Sequence, residues 1–206
     1  MEIQRTPKHK VVHASETDSV KEALSVLEGS GYRCVPVLDE TMTQFRGLVY
    51  KIDLVEYLLE KEGSEDDPIE HLVTDRHASI REDASFAESL KIKRLPFLAV
   101  LDSTNQFTGI LTHNHVMGMI EDALGFRSGG YHLTIATQEH KGALKKLTRL
   151  LDRYNIEGIF TYDNGDPYLR RIMVTLPYNS PIEDLKQKLE VRGFRLTGVE
   201  KIGKKQ

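Results

Sequence analysis

The chain has 206 residues, enough for one large domain or two small ones, and a formal net charge of -3. That balance gives no bulk attraction for nucleic acid or for a membrane surface, and no apolar run approaches the about 20 residues of a membrane span. The single cysteine, Cys34, excludes a disulfide framework and fits a reducing compartment, where a small buried apolar role on a strand suits it better than nucleophilic chemistry.

Met1 to Lys10 is polar and basic, without the apolar core of a secretory signal, which predicts a soluble cytoplasmic protein. Thr6 to Lys10 reads as a lead-in and Val11-Val12 as the start of a short strand. Ser15 to Ser19 offers several helix N-caps, and Val20, Ala23, Leu24 and Leu27 follow helical spacing. Gly29-Ser30-Gly31 ends that helix. Arg33 to Leu38 is an apolar strand. Pro36 inside it cannot donate to a ladder, which predicts an edge position. Asp39 to Arg46 is a hairpin loop, Gly47 to Tyr50 a strand and Ile52 to Glu60 a helix.

The same pattern then recurs. Gly47-Leu48-Val49-Tyr50-Lys51-Ile52-Asp53 returns as Gly109-Ile110-Leu111-Thr112-His113-Asn114-His115, an offset of 62 residues, and Gln44-Phe45 returns at the same offset as Gln106-Phe107. A period that long marks a duplicated supersecondary unit whose apolar face needs a neighbour. Between the copies lie an acidic loop, Glu60 to Asp67, and a short amphipathic turn with Ile69, Leu72 and Val73. Ala78-Ser79-Ile80, Phe86 to Leu90 and Phe97 to Leu101 match the first strand, helix and second strand. The second copy has lost nearly one helical turn and the Gly-Ser-Gly stop.

Gly125 to Gly130 is a glycine-rich linker and a candidate boundary. Beyond it come a half-buried strand (Tyr131 to Thr137) and a helix with Ala143, Leu144, Leu147 and Leu150-Leu151. A strand (Ile156 to Tyr162), the turn Asn164-Gly165-Asp166-Pro167 and a strand (Leu169 to Leu176) follow. Ser180-Pro181-Ile182-Glu183 reads as an N-cap with proline at N1, opening a helix with Leu185, Leu189 and Val191. Phe194 to Ile202 is the last strand, before a basic tail. The order β-α-β-β-α-β is ferredoxin-like.

The repeats resemble a pair of cystathionine-β-synthase (CBS) motifs, together one Bateman module. The carrying residues are Asp18-Ser19-Val20-Lys21-Glu22-Ala23, Cys34-Val35-Pro36-Val37 and Gly47-Leu48-Val49-Tyr50-Lys51-Ile52-Asp53-Leu54. The C-terminal segment is similar to an ACT domain in its topology and in Glu139-His140-Lys141-Gly142-Ala143-Leu144. The implied fold class is α+β: tandem CBS motifs (1–62 and 63–125) followed by a ferredoxin-like βαββαβ ACT domain (131–203). The combination resembles small bacterial CBS-ACT proteins, among them acetoin-utilisation regulators and cyclic di-AMP binders.

In the CBS family the strand-to-helix junction reads Gly-φ-φ-Thr-x-x-Asp. Free N–H groups at a helix start attract phosphate, a Thr hydroxyl there caps the helix or holds a phosphate, and an Asp three residues on accepts both ribose hydroxyls. The first copy has Tyr50 in the Thr place and keeps Asp53; the second keeps Thr112 and has His115 in the Asp place. The first therefore suits ribose and the second phosphate. Lys51, His113 and Asn114 stand at the helix starts. Arg33 in one cleft, and Lys93 and Arg94 in the other, add charge-assisted bonds. With Thr6, Cys34, Val35, Thr74 and Leu95 they make up the ligand-binding set the resemblance implies. Plain structural roles suit the same residues: Asp53 and Thr112 as caps, Tyr50 as a packed strand end, the cations as solvated surface.

The resemblance implies a regulatory sensor, not an enzyme, that binds an adenine nucleotide (cyclic di-AMP first, otherwise AMP, ADP or ATP) and signals through a homodimer to a partner protein. Nucleic acid and membrane are not expected partners. Regulation of acetoin metabolism is one alternative, and an ACT-type amino-acid sensor with the CBS pair as scaffold another. No nucleophile elbow, P-loop or Cys-x-x-Cys is present. His113-x-His115 lacks a third ligand and His9, His13, His71, His77 and His132 form no convincing set, so no metal is expected.

Overall fold

The computed structural model describes residues 4–60, 63–138, 141–163 and 169–203. The loop residues Glu139 and His140, the turn Asn164-Gly165-Asp166-Pro167 and the tail beyond Gly203 lie outside them. The chain divides into two compact units, Met1–Val116 and Met117–Gln206.

In the first unit the lead-in is itself a strand, β1 (Thr6–Pro7), followed by a 3-10 turn (Lys8–Lys10). The strand predicted at Val11-Val12 comes later, as β2 (Ala14–Ser15), because Val11 caps the 3-10 turn. Helix α1 (Val20–Ser30) starts at a full capping box, with Ser19 and Glu22 satisfying each other's backbone N–H groups, and ends at Gly31 with φ 71°. It buries Val20, Ala23 and Leu27. Strands β3 (Cys34–Leu38) and β4 (Phe45–Tyr50) pair antiparallel, and α2 (Lys51–Leu59) follows with no intervening loop.

Pro36 was expected on an edge, but β3 is the middle strand, with β2 on its other side. The proline is tolerated for a local reason. Its partner Leu48 directs both backbone groups away from β3, to Thr74, so this pair needs no N–H from Pro36. On the far side β2 reaches only Val37 and Leu38. The missing donor therefore faces an unpaired stretch.

The second copy repeats the scheme: β5 (Ser79–Arg81), α3 (Phe86–Ser89), β6 (Phe97–Leu101), β7 (Phe107–Thr112) and α4 (His113–Ala123). Ser85 and Glu88 repeat the capping box. The shortening read from the sequence appears as a four-residue α3 that tightens into a 3-10 turn, Leu90–Arg94. Even irregularities recur. Register slips follow Val37 and Val100, and both hairpin loops are tied by one aspartate, Asp39 or Asp102, accepting backbone N–H groups. Burial opposes ionisation of Asp39, but bonds from Gln44, Thr41 and Thr43 outweigh it and hold the carboxyl near a pKa of about 2.

The copies also exchange their lead-ins. β1, ahead of the first copy, pairs with β7 of the second at Thr6↔Ile110; Thr74, ahead of the second, bridges to Leu48 of the first. Each crossing passes over a junction glycine. A Cβ on Gly109 would lie 2.1 Å from the Thr6 carbonyl oxygen, and one on Gly47 2.5 Å from that of Thr74. The copies share apolar clusters as well, such as Leu38 and Val11 with Ala99 and Phe107.

The second unit holds β8 (Gly130–Gln138), α5 (Ala143–Leu150), β9 (Gly158–Asp163), β10 (Leu169–Leu176), α6 (Ile182–Val191) and β11 (Arg195–Ile202). The antiparallel sheet runs β11-β8-β10-β9, the ferredoxin-like order. Leu133, Ile135, Ile172, Val174 and Leu176 are buried with Leu147, Leu185 and Leu189 of its two helices. Pro181, not Ser180, occupies the cap of α6, and no side chain bonds that cap.

Candidate functional site

Two concavities lie in the first unit. The smaller, about 330 Å³, joins Thr6 of β1 and Arg33, Cys34 and Val35 of the first copy to Ile110 and Thr112 of the second. Lys10 and Phe97 also line it. The larger, about 540 Å³, is lined by Lys93, Arg94 and Leu95 with Asp75 and His77. Each contains a basic stretch just before an apolar strand. Both volumes lie within the range of small-molecule sites.

The junction ahead of α4 is closed on itself. Thr112 donates its backbone N–H to His115 Nδ1 at 3.2 Å, and its Oγ1 lies 2.9 Å from the same atom. Nδ1 can accept the N–H only when unprotonated, so the ring carries its proton on Nε2. The side chain of His115 thus reaches back to the residue ahead of the helix as the glutamate of a capping box does, which is one half of that motif. Burial lowers the His115 pKa, which favours the same neutral form.

The junction ahead of α2 behaves differently. Tyr50 takes the cap position without a side-chain cap bond, so Asp53 does not serve as the cap its residue type suggests. The Tyr50 hydroxyl instead donates to Asp75 Oδ2 at 2.6 Å. Asp75 holds φ 47°, a left-handed conformation open to aspartate at some cost. Burial, and then the charge of Asp75, raise the Asp53 pKa. Burial foremost, with Asp75 and Asp53 behind it, pushes the Cys34 thiol up to about 12, so the thiol stays protonated and unreactive.

The remaining sequence candidates divide. Thr6, Arg33, Cys34, Val35 and Thr112 meet in the smaller cavity; Lys93, Arg94 and Leu95 meet in the larger. Lys51 lines neither, and its Nζ pairs with Glu28 at 3.2 Å. His113 donates to the Pro96 carbonyl at 3.3 Å, and Asn114 is exposed. Thr74 contributes its backbone bridge to Leu48 and an exposed side chain. Lys10, Asp75 and His77 were not foreseen. Thr74-Asp75 answers Thr6-Pro7 as a lead-in, but nothing local announces that either segment crosses to the other copy. Among the described residues no group of three His, Cys, Asp or Glu side chains could hold a metal, and no helix is long and apolar enough to cross a membrane.

Residues 2–60 match the model of the CBS domain family. Solved structures similar to this chain include CBS-domain proteins. A CBS domain protein of Streptococcus pneumoniae is 26% identical with a TM-score of 0.52, over 57% of this chain and 83% of its own. A conserved protein of Geobacillus kaustophilus, also 26% identical with a TM-score of 0.52, matches over 59% of this chain and 96% of its own. The CbpB protein of Listeria monocytogenes, crystallised in complex with c-di-AMP, is 24% identical with a TM-score of 0.51, over 57% of this chain and 92% of its own. The comparison with curated proteins found no match.

Proposed function

We propose that this protein is a non-enzymatic regulatory sensor that binds an adenine nucleotide, cyclic di-AMP first, in the clefts of a tandem CBS module. The observation that carries the reading is the smaller cavity. Its apolar wall (Val35, Phe97, Ile110) suits a purine, and Arg33 and Lys10 stand beside it for phosphate. The c-di-AMP complex of the similarly folded Listeria protein supports the same ligand class. On this reading residues 1–62 and 63–125 are the two CBS motifs. Residues 131–203 are an ACT-like domain that pairs two copies and passes the signal to a partner protein. The open sheet edges β11 and β9 suit such pairing.

Titration calorimetry and thermal melting with cyclic di-AMP, AMP, ADP and ATP test the reading. A ligand at 100 times its dissociation constant adds about 2.7 kcal/mol and raises the melting temperature. Absence of heat and of any melting shift with all four rejects it.

A further inference from the structure

The two cavities offer different chemistry to a ribose. The smaller has Arg33 and Lys10 with Thr6 and Thr112, and among the described residues no carboxylate lines it. At the helix start beside it, His115 replaces the aspartate of the other copy and spends Nδ1 on Thr112. The larger is lined by Asp75, and Asp53 sits on the junction whose Tyr50 reaches that residue. An ionised carboxylate at such a junction can accept bonds from both hydroxyls of a free ribose 2′,3′-diol, and it repels a phosphate put in place of one of them. Cations and hydroxyls without a carboxylate have the opposite preference.

We propose that the smaller cavity selects an adenine nucleotide whose ribose 3′ oxygen is esterified, as in a cyclic dinucleotide, while the hydrogen bond from Tyr50 to Asp75 latches the larger one against nucleotides. The inference rests on the sensor reading above. The latch follows from a departure between the copies at the helix start: Thr112 is small and folds back on its own helix, whereas its counterpart Tyr50 extends to the opposing lead-in at Asp75. A phosphate approaching that junction meets an occupied phenol and two carboxylates. Selection in the smaller cavity falls to Arg33, an exposed side chain for which no ion pair competes among the described residues.

Calorimetry with cyclic di-AMP and AMP on four proteins tests this: wild type, Arg33→Ala, the double variant Lys93→Ala/Arg94→Ala, and Tyr50→Thr. Wild type should prefer cyclic di-AMP to AMP by about tenfold or more. Arg33→Ala should weaken cyclic di-AMP by about tenfold, the size of one charge-assisted hydrogen bond. The double variant should bind cyclic di-AMP like wild type. Tyr50→Thr should bind AMP about tenfold more tightly with cyclic di-AMP unchanged. Loss of cyclic di-AMP binding in the double variant but not in Arg33→Ala overturns the proposal, as does wild-type affinity for AMP equal to that for cyclic di-AMP. Silence towards every nucleotide in all four proteins overturns the sensor reading itself, a different outcome from a wrong assignment of the cavities.

Discussion

His132 is 3% exposed, and its protonation state can be read from its neighbours. Thr175 spends its hydroxyl proton on the Leu124 carbonyl at 2.6 Å, so it must accept from His132 Nδ1–H at 2.9 Å. Nε2 is then a buried lone pair without a partner among the described residues, with the Phe126 and His132 rings packed edge to face. Burial lowers the His132 pKa, and Glu200 across the sheet only partly offsets it. His115 is lowered by burial too. Both groups are therefore more acidic when folded than at their unfolded value of about 6.5. Their contribution to stability is complete above that pH and is lost as pH falls through the folded values. Denaturant melts between pH 7.5 and 5 should register this loss, and His132→Asn should reduce it. A profile of unchanged slope in that variant would remove His132 from the account. None of this was legible in the sequence, where His132 is one histidine among eight; burial and tautomer belong to the packed state.

Among the elements, the junction glycines separate what pattern tells from what contact tells. Their recurrence at one offset identified the duplicated unit, and strand followed at once by helix was correctly legible on both occasions. The reason for glycine was not. Gly109 has φ 158° and lies under β1; a Cβ there would meet the Thr6 carbonyl at 2.1 Å. Gly109→Ala should cost about 1–3 kcal/mol through this overpacking and should unseat β1 from β7. The readout is a lowered denaturation midpoint together with fast amide exchange at the N-terminal strand. Normal protection there would mean that the clash is absorbed elsewhere. Pro36 teaches the same lesson in reverse. A strand proline argues for an edge, yet here the strand is central and the proline survives because both neighbours leave its nitrogen unasked.

At the scale of the molecule, each unit has its own apolar core. Leu27, Val49 and Leu54 belong to the first; Leu133, Leu147 and Leu185 belong to the second. Leu54→Ala and Leu185→Ala should each cost about 2–5 kcal/mol. Hydrogen exchange should report each loss within its own unit: faster exchange in β3 and β4 for the first variant, in β8 and β10 for the second. Loss of protection along the whole chain from either substitution would mean that the units unfold together. The local pattern of residues determined the elements, the duplication and the ferredoxin-like order, because side-chain periodicity and capping act over a few positions. Tertiary structure alone decided that each lead-in crosses to the opposite copy. It also set Arg33 beside Thr112 and Tyr50 against Asp75. Those pairings are made by chain segments 25 residues or more apart, and contact at that range is decided by which surfaces bury each other, not by any local preference.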